Sequence, residues 1–221
     1  MPMSRIAAPI DTGAPALAFT HRFVPASATG LPPLLLLHGT GGDENDLLPL
    51  GRMLAPGAAL LSPRGRVSEA GMPRFFRRLA EGVFDEQDVV RRAHELADFV
   101  AEARAAYGLP APVAVGFSNG ANIAAAVLML RPEILAGAVL LRSMVPLASP
   151  PETVLPGTPV LMLSGAMDPI VPRENAARLA DQLAARGARV EHRVLPAGHG
   201  LTPADMSAAR QWLDLHGPAA A

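Results

Sequence analysis

Six short apolar runs, separated by longer segments, constrain the fold of this 221-residue chain more than any other feature. The first five are apolar at nearly every position, whereas the sixth contains several polar residues. A run that is apolar on both faces belongs in a sheet that is covered on both sides, as parallel sheets are. We therefore predict five buried strands and one more exposed strand. The runs are residues 34–37, 58–61, 113–115, 137–141, 160–163 and 190–195.

Segments with helical spacing separate most of these runs. In residues 88–107 the apolar positions recur at intervals of four, three, four and three, and Gly108 follows them. Further helices are expected over 119–130, over 173–186 and from a cap at Thr202 to about residue 216. Strands that alternate with helices predict an α/β fold, with a mainly parallel central sheet and helices on both faces. Such sheets bind ligands at the carboxyl ends of their strands, so catalytic residues should directly follow the apolar runs.

The order of these elements predicts a single α/β domain over residues 1–221, with about residues 1–15 as an N-terminal tail. The connection over 144–158 is too short to hold a helical cap, so no separate cap domain is expected. Residues 63–86 form a long connection without a clear period and hold three of the chain's seven phenylalanines. We expect this segment to cover the active site as a flap.

Charge and composition exclude several classes of function. The chain has 19 basic and 20 acidic residues and a formal net charge of −1, so we expect neither nucleic acid nor an anionic membrane as a partner. It has no lysine and no cysteine, which excludes a Schiff-base lysine, a thiolate nucleophile, thiolate metal ligands and disulfides. The first residues lack the apolar core of a secretory signal, and no stretch approaches the roughly 20 apolar residues of a membrane span. We expect a cytoplasmic protein without integral membrane association.

One serine, Ser118, stands where the third apolar run meets the next helix, in the pentapeptide G-F-S-N-G. In this strand–turn–helix context, G-x-S-x-G exposes a nucleophilic serine on a sharp turn. Gly116 and Gly120 have no side chains, so the strand and the helix can approach closely, and the helix N-terminus offers N–H groups. The alternative interpretation is an ordinary structural turn.

A serine hydroxyl needs a base, and the base needs a carboxylate that orients it. His199 lies in P-A-G-H-G, in the loop after the sixth run, and Asp168 lies in S-G-A-M-D-P, in the loop after the fifth. The alternatives are a solvated loop histidine and a common Asp-Pro turn. The chain order Ser, Asp, His is nevertheless that of the α/β-hydrolases.

An oxyanion hole requires two N–H donors. The first candidate is the backbone N–H of Asn119, which follows the serine. The second lies in the loop after the first run, in H-G-T-G-G-D, where we favour Thr40 over its neighbour Gly41. A phosphate-binding loop is the alternative, but the Walker lysine and the G-x-G-x-x-G spacing are both missing. His38 is expected to make hydrogen bonds that shape this loop.

Taken together, these motifs resemble the phospholipase/carboxylesterase group of α/β-hydrolases, small esterases without a cap that include acyl-protein thioesterases. The resemblance implies Ser118, Asp168 and His199 as the catalytic triad, and Thr40 and Asn119 as the oxyanion donors. The thioesterases carry glutamine after the nucleophile, and this chain departs from them with Asn119. Two stretches, R-F-F-R-R and E-G-V-F-D, resemble a bacterial branch labelled carboxylesterase or hydroquinone-type hydrolase. The matching stretches are L-L-L-L-H-G-T-G-G-D-E-N-D-L, L-S-P-R-G, R-F-F-R-R, G-F-S-N-G-A-N, L-S-G-A-M-D-P-I-V-P and P-A-G-H-G.

The expected function is a serine carboxylesterase that hydrolyses small, short-chain esters through an acyl-enzyme intermediate, with no metal and no cofactor. One alternative is a lysophospholipase or acyl thioesterase that acts on long chains. Another is a non-catalytic binding protein on a hydrolase fold, because fold does not determine function. The expected partner is a small-molecule ester, and a homodimer is a possible assembly.

The sequence also suggests candidates for the substrate pocket. We expect Phe75 or Phe76 to line it, with Met144, Met167 and Leu201 nearby. Packing in the core is the alternative for each of these residues. The basic cluster of Arg74, Arg77 and Arg78 suits either an acidic substrate or a solvated surface.

Overall fold

The computed structural model describes residues 17–216. The predicted tail over residues 1–15 lies outside the described residues. No helix within 17–216 has the length and apolar character needed to cross a membrane. In chain order the elements are β1 (His21–Val24), β2 (Leu34–Leu37), α1 (Leu48–Leu54), β3 (Leu60–Pro63), β4 (Val67–Glu69), β5 (Met72–Arg74), β6 (Arg78–Ala80), β7 (Val83–Phe84), α2 (Glu86–Tyr107), β8 (Val113–Phe117), α3 (Asn119–Leu130), β9 (Gly137–Leu141), β10 (Pro159–Gly165), α4 (Arg173–Ala185), β11 (Arg189–Leu195) and α5 (Pro203–His216).

A seven-stranded sheet forms the centre of the molecule, in the order β1-β3-β2-β8-β9-β10-β11. Six of its strands correspond to the six apolar runs and pair in parallel. The seventh strand, β1, is antiparallel to β3 at the edge, and it was not predicted because two residues of its sequence His-Arg-Phe-Val are polar. The predicted α/β class with a mainly parallel sheet is therefore confirmed.

Helices cover both faces because alternate side chains of each strand point to opposite sides. In β2, Leu35 and Leu37 pack in the cluster that contains residues of α2, α3 and α4. Leu34 and Leu36 pack in the cluster that contains residues of α1 and α5. All four leucines are buried, and each contributes about 1.5–3 kcal/mol of transfer free energy when it leaves water.

The ends of the helices follow local chemistry. Helix α2 begins after Asp85, whose side chain accepts the N–H of Asp88, and ends at Gly108 in a left-handed conformation with φ of 64°. At the start of α5, the predicted hydrogen bond from a helical N–H to the Thr202 side chain is replaced by bonds in the opposite direction. The carboxylate of Asp205 accepts the N–H and the hydroxyl of Thr202, instead of the threonine oxygen accepting a helical N–H.

The segment between β3 and α2 forms two short hairpins, β4–β5 and β6–β7. The first hairpin borders the carboxyl-terminal edge of the sheet, where the N–H of Gly41 in the loop after β2 donates to the carbonyl of Pro73 in β5. The connection from β9 to β10, residues 142–158, contains no helix or strand. At this edge the β4–β5 hairpin lies beside the loop that follows β2.

Candidate active site

Ser118 occupies a sharp turn between β8 and α3. Its φ of 52° and ψ of −114° lie in a region that non-glycine residues rarely adopt. The turn needs glycine on either side. A Cβ at Gly116 would lie 2.6 Å from the Gly120 carbonyl oxygen, and a Cβ at Gly120 would lie 2.6 Å from that of His38. The packing of strand against helix therefore holds the serine in its strained conformation.

His199 and Asp168 are brought to Ser118 by the loops after β11 and β10. His199 Nε2 lies 3.0 Å from Ser118 Oγ, and His199 Nδ1 lies 2.9 Å from Asp168 Oδ2. The three residues are far apart in the chain but lie at the same edge of the sheet. Their connectivity is the one that a Ser–His–Asp triad requires.

The carboxylate of Asp168 is buried and well supplied with donors. Its Oδ1 accepts the N–H groups of Ile170 at 2.8 Å and Val171 at 3.1 Å, while Oδ2 faces the imidazole. Because a carboxylate only accepts hydrogen bonds, His199 carries its proton on Nδ1. Nε2 is then free to accept the hydroxyl proton of Ser118.

Two backbone N–H groups beside Ser118 have no protein acceptor within residues 17–216, those of Thr40 and Asn119. Asn119 is the first residue of α3, so its N–H has no partner in the helix. The neighbouring candidate, Gly41, is excluded because its N–H donates to the Pro73 carbonyl at 3.0 Å. The arrangement therefore favours Thr40 as the second donor.

Comparison with known proteins identifies the family of this chain. The model of the phospholipase/carboxylesterase family matches residues 24–217. The chain belongs to this family. Its members share the α/β-hydrolase fold that the sheet order and the strand-end site display.

Individual relatives of this family member have hydrolase and carboxylesterase names. A protein of Bacillus subtilis (strain 168) named "Putative hydrolase MhqD" is 46% identical over 181 residues, which cover 81% of this chain and 90% of that protein. The crystal structure of the Bacillus cereus carboxylesterase is 43% identical, with a TM-score of 0.88, and the match covers 91% of this chain and 96% of that one. A carboxylesterase from Mesorhizobium loti is 35% identical, with a TM-score of 0.86 and coverage of 90% and 96%.

In this member of the family, Ser118 opens into a cleft of about 260 Å³. Met144 lines the cleft, as expected, and its N–H donates to the side-chain oxygen of Asn122 at 2.8 Å. Phe84 and Ile170 supply further apolar surface. The hairpin segment contributes Arg74, Arg78, Glu81, Gly82 and Phe84 to the lining.

The structure differs from the prediction for the other pocket residues. Phe75 and Phe76 are 3% and 0% exposed and belong to the hydrophobic core, where the Phe75 ring packs 4.7 Å from that of His38. Met167 is 67% exposed at the surface, and Leu201 lies in a separate apolar groove between α1 and α5. The hairpins turn both phenylalanine side chains toward the core. The sequence of this segment has no hydrophobic period from which that direction could be predicted.

Of the three arginines in R-F-F-R-R, the structure separates one from the other two. Arg77 is 64% exposed and pairs with Asp85, as a solvated residue does. Arg74 is buried, and its Nη1 donates to the Thr40 hydroxyl at 2.7 Å. Burial lowers the pKa of Arg74 below its ordinary value, although Glu69 opposes this effect. Its neighbour Arg78 lines the cleft as well.

Sequence reasoning missed Arg142, which directly follows β9 with a φ of 57°. Its buried guanidinium forms a bidentate ion pair with Asp205, at 2.7 and 2.8 Å. It also donates to the carbonyls of Gly198 at 2.9 Å and Gly200 at 3.2 Å, the residues on either side of His199. A charged residue immediately after an apolar strand was the signal for it.

His38 makes the structural hydrogen bonds that were expected of it. Its Nε2 accepts the N–H of Gly65 at 2.9 Å, so its proton lies on Nδ1, which contacts the Gly39 carbonyl at 2.7 Å. Burial lowers the pKa of His38, which favours the neutral form of the ring in the folded protein. The ring thereby ties the loop that contains Thr40 to the chain after β3.

Proposed function

We propose that this protein is a serine carboxylesterase that hydrolyses small esters through an acyl-enzyme intermediate. The observation that carries the proposal is the continuous hydrogen-bonded series from Asp168 through His199 to Ser118, beside two unpaired N–H groups. An α/β-hydrolase needs these parts in this order, and membership of the family supports the same reaction.

In the first half of the reaction, His199 Nε2 takes the proton of Ser118 as Oγ attacks the ester carbonyl carbon. The carbonyl oxygen becomes an oxyanion, and the N–H groups of Thr40 and Asn119 donate to it. Asp168 stabilises the imidazolium that forms. The carbon–oxygen bond to the alcohol then breaks, and the alcohol leaves with the proton from His199.

Water completes the reaction in the second half. His199 takes a proton from water as the hydroxide oxygen attacks the acyl carbon on Ser118. The same N–H groups hold the second oxyanion. The bond between Oγ and the acyl carbon breaks, Ser118 regains its proton, and the carboxylic acid departs. No step requires a metal ion or a cofactor.

The dimensions of the cleft favour small substrates over long acyl chains. Its volume of about 260 Å³ is below the roughly 300–1,000 Å³ of pockets that hold drug-sized ligands. A long-chain lysophospholipid or thioester needs an extended apolar groove, whereas eight of the thirteen lining residues here are polar or charged. These eight are Thr40, Arg74, Arg78, Glu81, Ser118, Asn119, Asn122 and His199.

A series of p-nitrophenyl esters with acyl chains of increasing length tests the proposal. We expect kcat/KM to be highest for short chains, and Ser118→Ala to lower kcat by about 10⁴-fold or more while the protein stays folded. Ser207→Ala, at an exposed position of α5, is the matched control and should retain full turnover. Labelling with a fluorophosphonate probe should require Ser118.

Three results would contradict this proposal. If Ser118→Ala kept wild-type hydrolysis, the nucleophile would be wrong. A maximum at long acyl chains would support the lysophospholipase or thioesterase alternative. Absence of both turnover and probe labelling in the folded wild-type protein would support a binding protein.

A further inference from the structure

Two arginine side chains, those of Arg74 and Arg78, line the same cleft as Ser118. We propose that they form an anion subsite that binds a carboxylate of the substrate, so that the preferred substrates are small esters carrying one carboxylate. This inference deepens the proposed esterase function and rests on it. It concerns which esters the enzyme selects rather than how the ester bond is cleaved.

Arg74 is the inner residue of the subsite. Its side chain is 3% exposed, yet it lies at the cleft wall. Nη1 donates to Thr40, and Nε donates to the Phe76 carbonyl at 3.2 Å and lies 3.3 Å from Glu69. Nη2 has no partner within residues 17–216. A buried guanidinium with an unused donor at a cleft wall is prepared for an anionic acceptor.

Arg74 and Arg78 carry two positive charges, and the nearest carboxylate, that of Glu69, neutralises one of them. This carboxylate lies between both guanidinium groups and accepts from Arg78 at 2.8 Å. Nη1 of Arg78 has no partner in the described part of the chain. One exposed carboxylate, Glu81, also lines the cleft and forms no ion pair within 17–216. Because Glu81 is exposed, solvent screens its repulsion of a bound anion more than it screens the attraction of the buried Arg74 guanidinium.

The chemistry of the subsite favours a carboxylate with a single charge. Guanidinium groups present planar, forked donors that match the two oxygens of a carboxylate. Glu81, in the same cleft, opposes the entry of more than one negative charge, so a single carboxylate is favoured over a dianion. In the substrate, this group can belong either to the acid or to the alcohol from which the ester is made.

Two pairs of isosteric esters distinguish these sources. Monoethyl succinate carries its carboxylate in the acyl part, and ethyl succinamate replaces that group with an amide. Acetylglycolate and acetylglycolamide provide the same contrast in the alcohol part. Proton release in a pH-stat measures hydrolysis of all four. We expect kcat/KM to favour the carboxylate by about tenfold or more in at least one pair.

The matched variants are Arg78→Gln and Arg77→Gln. Arg77 is the adjacent residue in the sequence, but it is exposed, pairs with Asp85 and does not line the cleft. Arg78→Gln should lower the preference for the carboxylate about tenfold, and Arg77→Gln should leave that ratio unchanged. In the wild-type protein, succinate should also inhibit hydrolysis of ethyl butanoate more strongly than succinamide does.

The subsite would be overturned if, in both pairs, the wild-type kcat/KM for the carboxylate ester were no higher than that for the amide ester. If the neutral esters were still hydrolysed in a Ser118-dependent way, the proposed esterase function would stand. Equal effects of Arg78→Gln and Arg77→Gln would overturn the subsite as well. If the wild-type protein hydrolysed no ester, the proposed function itself would fail. Calorimetric binding of succinate that Arg78→Gln abolishes would then still support the anion subsite by itself.

Discussion

At the scale of single residues, the conformation of Ser118 depends on what its neighbours lack. A non-glycine residue at φ 52° and ψ −114° carries a strain on the order of 1–3 kcal/mol. The strain persists because α3 packs against the ends of β8 and β2, and Gly120 permits this approach. Its α-carbon faces the carbonyl oxygens of Leu37 and His38, where no Cβ fits.

Replacing Gly120 by alanine should therefore separate the helix from the sheet. We expect a loss of about 3 kcal/mol in the free energy of unfolding, at the upper end of overpacking effects, because the new Cβ meets backbone rather than a flexible side chain. Urea unfolding followed by circular dichroism measures the change. Gly200→Ala is the control, since a Cβ there meets nothing within 4 Å. Equal stability of both variants would contradict the packing argument.

At the scale of elements, one buried ion pair connects three parts of the site. Arg142 follows β9, Asp205 lies in the first turn of α5, and the loop between β11 and α5 holds His199. The guanidinium donates to the carbonyls of Gly198 and Gly200, so it positions the loop on both sides of His199. Burial alone would raise the pKa of Asp205, but hydrogen bonds from Arg142 and Thr202 outweigh it and keep that pKa low.

Removing one partner of this pair leaves a buried charge without compensation. Asp205→Asn should cost about 3–5 kcal/mol of unfolding free energy and lower kcat, because the loop that holds His199 loses its anchor. Unfolding in guanidinium chloride measures the loss of stability, and ester turnover measures the change in kcat. Glu191→Gln, in a partly exposed ion pair with Arg193, should cost at most about 1 kcal/mol. If the two variants were equally stable, the buried pair would have no special role.

At the scale of the whole molecule, two partly or fully buried histidines make stability depend on pH. Burial lowers the pKa of His38 and of His192, and the hydroxyl of Ser164 lies 2.9 Å from the His192 ring. In the unfolded chain both rings bind a proton near pH 6.5. Below that pH the unfolded chain therefore binds more protons than the folded protein.

The free energy of unfolding should accordingly fall as the pH is lowered from 7.5 through 6.5. Each such histidine contributes a slope of at most about 1.4 kcal/mol per pH unit. Urea midpoints at pH 7.5 and 5.5 measure the effect, and His192→Gln should remove part of the slope. A constant midpoint over this range would contradict the neutral state of the buried rings.

The positions of the strand ends could be predicted from the chain because apolar runs are local. Ser118, Asp168 and His199 each follow such a run, so a parallel sheet necessarily brings them to one edge. The directions of Phe75 and Phe76 could not be predicted. The hairpins around them are short and irregular, and the inward turn depends on partners such as His38 and Phe84.

The sequence by itself determined the class of fold, the edge at which the site lies and the order of the candidate triad. The hydrophobic period and the turn residues are local patterns of a few residues, so these features can be predicted from the sequence. Only the tertiary structure decided that the N–H of Gly41 donates to a backbone carbonyl while the N–H of Thr40 has no acceptor in the described residues. It also decided that Arg74 reaches the cleft and that Arg142 contacts the residues on both sides of His199. These features depend on contacts between residues that are 34 and 56 positions apart, as for Thr40 with Arg74 and Arg142 with Gly198. Such contacts exist only after the strands have paired and the hairpins have folded over their ends.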